Sequence, residues 1–271
     1  MRKIVDVWMQ HPTPAFLRNE FFSSVLGWMG WDKIPDELPL QSTIDQYASA
    51  GVSHALVSAW WGPSGPIISN DDVAGWTAQY PERLMGVCSV PLMRPIQAIA
   101  EVSRCVEQLN FKAVRIVPWV WDLPPNDRHY YPIYAECVRL NVPICLQVGH
   151  TGPMMRSEPG RPIPYLDDVA HDFPELRIVA GHIGYPWTDE MISLATKYPN
   201  VYIDTSAYKP KRYPRELVNF MKGHGSHKVM FGTNFPMVSP VDCIKELALL
   251  GLDEERLERF LWSNAANVFR L

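Results

Sequence analysis

Histidine and amide side chains follow short apolar runs at several points of the chain. His150 and His182 each come directly after a glycine, Gln10 and His11 follow the first apolar run, and Asn234 lies in the segment FGTNFP. Imidazole exchanges protons near neutral pH, and an amide can donate a hydrogen bond to a developing oxyanion. These residue types predict acid–base chemistry on a small polar substrate.

Arginine, tryptophan and aspartate side chains accompany these groups. Arg115 lies inside the apolar run KAVRIVPW, so its guanidinium either pairs with a structural carboxylate or binds a substrate carboxylate. Arg156, in the loop after the fifth predicted strand, is either solvated or part of the same site. We expect Asp6 and Asp204 to orient neighbouring side chains rather than to react. Four tryptophans that follow the second or fourth strand either pack in the ordinary way or wall an apolar or aromatic pocket, namely Trp60, Trp61, Trp119 and Trp121.

These residues follow β-rich runs that alternate with segments of helical spacing. Strands are predicted over residues 3–8, 54–59, 84–90, 113–117, 143–148, 177–180, 201–204 and 228–231. Helices are predicted over 42–50, 71–79, 95–109, 131–140, 164–173, 188–197, 214–222 and 241–250. Successive strand–helix units indicate an α/β fold, a single-domain (β/α)8 TIM barrel over residues 1–271, in which the strand ends share one mouth.

Two segments do not fit this alternation. The run 10–40 is too long for an ordinary connection and is rich in aromatic residues, namely Phe16, Phe21, Phe22, Trp28 and Trp31. We interpret it as an apolar insertion after strand 1 that covers the barrel mouth or, alternatively, forms a dimer contact. The segment 253–271 is predicted to be a C-terminal helix packed outside the barrel.

Charge and cysteine content exclude several classes of protein. The 271 residues include 25 Lys or Arg and 29 Asp or Glu, a net charge of −4, which disfavours a nucleic-acid groove or a basic membrane-binding patch. The five cysteines form no disulfide framework or zinc-knuckle pattern, and no signal peptide or membrane-spanning run is visible. We expect a cytoplasmic protein with a small-molecule substrate and no nucleic-acid or membrane partner, and we leave a homo-oligomer open.

Three strand-end motifs carry a family resemblance. They are PICLQVGHTGP at 143–153, IVAGHIGYPW at 178–187 and MFGTNFP at 230–236. Together they resemble the amidohydrolase superfamily, and more narrowly its amidohydrolase-related branch, which includes aminocarboxymuconate semialdehyde decarboxylase, resorcylate-type decarboxylases and lactone hydrolases. The resemblance extends from VDVWMQHP to LWSNAANVF and implies a single (β/α)8 barrel.

The chain departs from this family at its metal-ligand positions. Metal-dependent members have two histidines at the end of strand 1, where this chain has Trp8 and Gln10, and an aspartate after strand 8, where it has Asn234. His150 matches a remaining ligand, and His182 matches an acid–base position of the decarboxylase-like members. Zinc sites need three or four imidazole, thiolate or carboxylate donors. We therefore expect a degenerate metal site without a cofactor, with zinc held by His150, His182 and His11 as the alternative.

These observations lead to one main functional hypothesis and two alternatives. The main hypothesis is a metal-independent hydrolase of a small lactone, ester or related acyl compound. His182 is its general base, His150, Asn234 and Gln10 donate hydrogen bonds to the oxyanion, and substrate-binding residues are Gln10, His11, Arg115, Trp8 and Arg156. One alternative is a metal-dependent hydrolase or a non-oxidative decarboxylase of a small aromatic or unsaturated carboxylic acid that uses a rebuilt metal site. The other is a non-catalytic barrel that binds a small molecule.

Overall fold

The barrel strands and the helices between them are present in a computed structural model, which describes residues 3–28, 30 and 33–271. The strands are β1 (Val5–Met9), β2 (His54–Ser58), β3 (Trp60–Gly62), β4 (Gly65–Ile68), β5 (Leu84–Cys88), β6 (Ala113–Ile116), β7 (Ile144–Gln147), β8 (Ile178–Gly181), β9 (Val201–Asp204) and β10 (Val229–Met230). The helices are α1 (Pro14–Leu17), α2 (Leu40–Ser49), α3 (Asn70–Gln79), α4 (Pro95–Glu107), α5 (Pro118–Trp121), α6 (Tyr131–Leu140), α7 (Tyr165–Asp172), α8 (Thr188–Lys197), α9 (Arg215–Lys222), α10 (Pro240–Glu246), α11 (Glu254–Glu258) and α12 (Asn264–Phe269).

Eight strands form one parallel sheet in the order β1-β2-β5-β6-β7-β8-β9-β10. The sheet closes on itself after β10, where Val7 N donates to Phe231 O at 3.0 Å and Gln10 N donates to Phe235 O at 3.1 Å. Parallel strands of this kind place the helical connections on the outside of the barrel. The predicted single-domain (β/α)8 TIM barrel is therefore confirmed.

Asp6 links the first strand to the end of the barrel. Its Oδ1 accepts hydrogen bonds from the backbone amides of Trp8 and Thr233, each at 3.0 Å. Its Oδ2 accepts from the Tyr47 hydroxyl at 2.8 Å and from the Thr233 hydroxyl at 2.5 Å. Burial nevertheless raises the pKa of Asp6. Asp6 thus orients its neighbours, as its position in the first strand led us to expect.

The barrel interior is filled mostly by small and branched apolar side chains, together with the larger Trp8, Met230 and Phe269 and the guanidinium of Arg115. The eight barrel strands are buried along almost their whole length on both faces, which explains why their sequences are nearly continuous apolar runs. The C-terminal segment contains α11, a π-helical turn (Arg259–Ser263) and α12. Ala265, Val268 and Phe269 of α12 join the interior cluster of strand residues. The predicted C-terminal helix is therefore present, and it closes the amino-terminal end of the barrel.

The predicted insertion after strand 1 lies over the opposite end of the barrel. Phe16 follows the start of α1, and its ring lies 4.3 Å from that of Phe22 and 5.5 Å from that of Trp60. Trp60 belongs to the antiparallel hairpin β3–β4, which the sequence prediction missed. Trp31, which was assigned to the insertion, lies outside the described residues. The insertion and the hairpin together build an aromatic cover from two separate parts of the chain.

Two remaining sequence predictions concern cysteines and membranes. All five cysteines are free and buried, namely Cys88, Cys105, Cys137, Cys145 and Cys243. Among the described residues, no helix has the length and apolar character needed to cross a bilayer.

Candidate active site

A cavity of about 170 Å³ lies at the carboxyl ends of the barrel strands. The insertion, the hairpin and α5 supply most of its apolar wall, namely Phe16, Phe22, Val25, Trp28, Trp60 and Trp119. Its polar side chains are Gln10, Gln147, His150, His182, Tyr208 and Asn234. Within the described part of the chain, no Asp, Glu, Lys or Arg lines this cavity. Its volume is comparable with that of a protein cavity of about 150 Å³ that holds one benzene ring.

Four cavity side chains form a directed chain of hydrogen bonds. Trp60 Nε1 donates to Gln10 Oε1 at 3.2 Å, and Gln10 Nε2 donates to Asn234 Oδ1 at 3.1 Å and to Phe235 O at 2.5 Å. Because the indole nitrogen is only a donor, it fixes the direction of the Gln10 amide and thereby that of Asn234. Asn234 Nδ2 is then the donor to His182 Nε2 at 3.2 Å. This arrangement places the proton of a neutral His182 on Nδ1.

His182 follows β8 directly and is buried. Its φ is 72° and that of Ile183 is 52°, so two consecutive non-glycine residues adopt the left-handed region, as strained residues at functional sites often do. Its Nδ1 lies 2.7 Å from Ser206 Oγ. Burial, followed by the Arg115 charge and His150, lowers the pKa of His182 to about 3. His182 is therefore a neutral imidazole at physiological pH.

Ser206 connects His182 to the buried carboxyl group of Asp204. The Ser206 backbone amide donates to Asp204 Oδ1 at 2.8 Å, and this is the hydrogen bond that joins the two residues. The Ser206 hydroxyl also lies close enough to lower the pKa of Asp204, but the larger effect of burial raises that pKa to about 6. Asp204 Oδ2 has no hydrogen-bond partner in the described part of the protein.

His150 lies at the exposed side of the cavity, after β7. Its Nε2 is 3.1 Å from the hydroxyl of Tyr208, and its ring packs edge-on against Tyr185 at 5.6 Å. Burial raises the pKa of Tyr208, so its phenol stays protonated and can donate to the imidazole. Sequence reasoning missed Tyr208, although its position shortly after β9 is the signal that could have found it.

Trp8 and Arg115 lie beneath the cavity, inside the barrel. The Arg115 guanidinium carbon is 3.9 Å from the centre of the Trp8 ring, and its nitrogens donate to Val7 O at 3.1 Å and to Met9 O at 3.3 Å. Burial lowers the pKa of Arg115 to about 10. The expected substrate-binding roles of Trp8 and Arg115 are corrected, because the guanidinium is bound to strand carbonyls and neither side chain lines the cavity.

His11 and Arg156 are also outside the cavity. The two ring nitrogens of His11 lie 2.8 Å from Thr43 Oγ1 and 3.0 Å from Leu38 O, because the side chain after Gln10 points away from the mouth. Arg156 is exposed and lies 3.6 Å from Asp122. Their expected substrate-binding roles are therefore corrected as well, whereas Gln10, His150, His182 and Asn234 do meet at the cavity.

Gln147, a strand-end residue to which the sequence analysis assigned no role, also lines the cavity. Trp119 Nε1 donates to Gln147 Oε1 at 2.9 Å, so the amide nitrogen is the end of Gln147 that can donate to a ligand. Gln147 is the last residue of β7. Its place at the carboxyl end of a barrel strand is where candidate site residues are expected.

Comparison with known proteins places this geometry in a family. Residues 41–271 match the amidohydrolase family model. The chain belongs to the amidohydrolase family. It is 25% identical to gamma-resorcylate decarboxylase from Rhodococcus jostii strain RHA1, in a match that covers 75% of each chain. The predicted resemblance to the amidohydrolase-related branch is confirmed, and this match supports an enzyme over a barrel that only binds.

Solved structures show the same fold across the whole chain. A TIM-barrel protein from Bordetella bronchiseptica superposes with a TM-score of 0.83 at 23% identity, covering 99% of this chain and 98% of the other. A dihydroxybenzoic acid decarboxylase from Polaromonas sp. JS666 superposes with a TM-score of 0.75 at 16% identity, covering 100% and 98%. The latter structure contains bound manganese and the inhibitor 2-nitroresorcinol.

The manganese in this relative contradicts the expectation that no cofactor is used. A divalent metal is the cofactor that these decarboxylases indicate. The side chains of this chain do not fit such an ion at the family position, because the cavity offers imidazole, amide and phenol groups but no carboxylate. Among the described residues, no three His, Cys, Asp or Glu side chains are grouped as a metal site would require. The alternative zinc set of His150, His182 and His11 is thus not assembled.

Proposed function

We propose that this amidohydrolase-family protein is a non-oxidative decarboxylase of a small aromatic carboxylic acid. The observation that carries the proposal is the cavity itself, which is walled by aromatic side chains, has the volume of one ring and lacks charged side chains among its described lining. Its curated relatives include gamma-resorcylate decarboxylases, which supports this function over lactone hydrolysis, our first hypothesis.

A neutral cavity favours loss of CO2 from a bound carboxylate. The carboxylate gives up its hydration on entering and meets no cationic side chain there, so its charged ground state is destabilised. When the ring carbon gains a proton and the bond to CO2 breaks, the negative charge disappears. The cavity therefore stabilises the transition state relative to the bound substrate, which is what raises kcat.

The walls and polar groups of the cavity hold the substrate ring. Trp60 and Trp119, whose ring centres are 6.3 Å apart, offer aromatic surfaces for the ring. The amide nitrogen of Gln147 and the Tyr208 hydroxyl can donate hydrogen bonds to the carboxylate or to ring hydroxyls. The ring carbon needs a proton when CO2 leaves. We assign its delivery to His182, the more buried of the two cavity imidazoles, whose unprotonated Nε2 first accepts a proton from a ring hydroxyl of the substrate and then passes it to the ring carbon.

The proposal is tested by measuring CO2 release from 2,6-dihydroxybenzoate and benzoate, and hydrolysis of a five-membered lactone, with and without MnCl2. We expect CO2 release from the hydroxylated acid and no lactone hydrolysis. His182→Asn should lower kcat/KM by about a hundredfold or more, whereas His171→Asn, on the exposed end of α7, should leave it unchanged. Lactone turnover without CO2 release from either acid would refute the proposal.

A further inference from the structure

Four polar side chains of the cavity are paired with one another. Asn234 Nδ2 donates to His182 Nε2 at 3.2 Å. His150 Nε2 lies 3.1 Å from the hydroxyl of Tyr208, at the exposed side of the cavity. Because each pair satisfies its own members, a ligand must break or share these hydrogen bonds in order to use them.

The side-chain amide of Gln10 is used within the protein at both of its ends. Gln10 Oε1 accepts a hydrogen bond from Trp60 Nε1 at 3.2 Å. Gln10 Nε2 donates to Asn234 Oδ1 at 3.1 Å and to Phe235 O at 2.5 Å. An amide nitrogen has two hydrogens to donate, so Gln10 keeps none for a ligand and acts as part of the cavity frame.

Gln147 differs from Gln10 because its amide nitrogen has no partner. Trp119 Nε1 donates to Gln147 Oε1 at 2.9 Å, and this is the hydrogen bond that the Gln147 side chain makes within the described part of the chain. The side chain is buried and borders the cavity. Its nitrogen is not sealed inside the protein. The two N–H groups of Gln147 are therefore free to bind a ligand in the cavity.

The direction of the Gln147 amide is fixed by Trp119. An indole nitrogen is only a donor, so the oxygen of Gln147 must face Trp119 and its nitrogen must face away from it. The indole packs against two other aromatic rings, with ring centres 5.7 Å from that of Phe21 and 6.3 Å from that of Trp60. A rotated Gln147 would set one N–H group against another. The cavity thus presents a pair of hydrogen-bond donors in a fixed direction.

We propose that Gln147 binds the carboxylate of the substrate and makes the cavity selective for acids over neutral compounds with the same ring, with Trp119 as its positioning residue. The inference deepens the proposed decarboxylation and rests on it for its role in turnover. An ionised carboxylate has only acceptors, which matches a group that offers only donors. Gln147 is uncharged, so it binds the carboxylate without the strong stabilisation of the ionised ground state that a cation would give.

The aromatic walls make this hydrogen bond decisive for the affinity of an acid. A carboxylate that entered the cavity without meeting a donor would lose its hydration without replacement. Hydrogen bonds to charged groups are stronger than those between neutral groups, and loss of this donor should weaken binding of an acid about ten- to a hundredfold. A neutral hydrocarbon ring gains nothing from Gln147. The ratio of the two affinities therefore separates the contribution of Gln147 from that of the aromatic walls.

The inference is tested by isothermal titration calorimetry of the whole protein with benzoate, toluene and benzamidine, which share one ring. Gln147→Met removes the donors at similar volume and should weaken benzoate binding about ten- to a hundredfold, while toluene affinity stays within about threefold. Gln147→Glu places a carboxylate oxygen where the amide nitrogen was, so it should reject benzoate and bind the cationic benzamidine more tightly than the wild type. The control Gln97→Glu adds the same charge on the exposed face of α4 and should leave all three affinities unchanged.

Trp119→Phe should also weaken benzoate binding, and this loss should disappear when the change is made in Gln147→Met, because Trp119 acts through Gln147. A loss that persists in the double variant would overturn the positioning role. Benzoate affinity that either Gln147 variant leaves unchanged, or a fall that toluene shares in both variants, would overturn the inference. These measurements need no turnover, so a wild type that binds benzoate through Gln147 but releases CO2 from no acid refutes the proposed function alone.

Discussion

Replacing His182 with Gln should change how the free energy of unfolding depends on pH. The folded state lowers the pKa of His182 from 6.5 to about 3, so between these values the unfolded chain binds a proton that the folded chain does not. Stability from this residue is therefore complete above the unfolded pKa and is lost as the pH falls. Between about pH 8 and about pH 5 the loss amounts to about 2 kcal/mol.

Asp204 acts in the opposite direction over the same range. Its folded-state pKa is raised from 3.8 to about 6, so the folded chain binds a proton that the unfolded chain does not. Stability from Asp204 is therefore gained as the pH falls through the folded-state value, by about 1 kcal/mol at about pH 5. The two contributions to the pH dependence of stability partly cancel in the wild type, so a variant that lacks one of the residues shows the contribution of the other.

Urea unfolding of the wild type, His182→Gln and Asp204→Asn at the two pH values measures both contributions. On acidification, His182→Gln should lose about 2 kcal/mol less stability than the wild type, and Asp204→Asn should lose about 1 kcal/mol more. All other ionisable groups are shared and cancel in the differences. Equal pH dependence in the three proteins would refute the conclusion that burial lowers the pKa of His182 and raises the pKa of Asp204.

Two further predictions concern the packing beneath the cavity. Gly181→Ala places a Cβ 2.5 Å from the Trp8 ring and should destabilise the folded protein by about 1–3 kcal/mol in thermal unfolding. The control Gly75→Ala, in α3 with open space around the new Cβ, should stabilise the protein by up to about 1 kcal/mol. An unchanged Tm for Gly181→Ala would contradict the close packing of Gly181 against Trp8. Thr233→Val removes the hydroxyl that donates to Asp6 at 2.5 Å and should lower urea stability by about 1–3 kcal/mol, and a neutral result would show that Asp6 finds another donor.

The barrel was predictable because each strand leaves a local pattern in the sequence. Apolar runs separated by helical segments need no tertiary information to be recognised. The hairpin β3–β4 was missed because its strands are short, although GPSG between WW and II is a turn signal. The closure of the barrel by α12 depends on which end its apolar face meets, and the sequence pattern of a helix does not specify this.

Site residues that stand at the carboxyl end of a strand could be predicted from the sequence. Whether a residue further back in a strand reaches the cavity could not, because this depends on its depth in the barrel. Gln10, His150, His182 and Asn234 meet as the carboxyl-end rule requires. Arg115 was misassigned because the inward face of a strand contains several layers, and Arg115 lies in a layer below the cavity, against Trp8. That depth follows from strand tilt and register, which are properties of the closed barrel.

The closure of the barrel by its two ends has a consequence for the order of folding. β1 pairs with the segment after β10 through Val7 and Gln10, and α12 supplies Phe269 to the interior. These contacts join residues separated by more than 200 positions. During synthesis, β1 can therefore pair with β2, but its other edge has no partner until the last elements have emerged. We expect the nascent protein to depend on chaperones that shield β1 and the open lower end of the barrel until translation of α12 is complete.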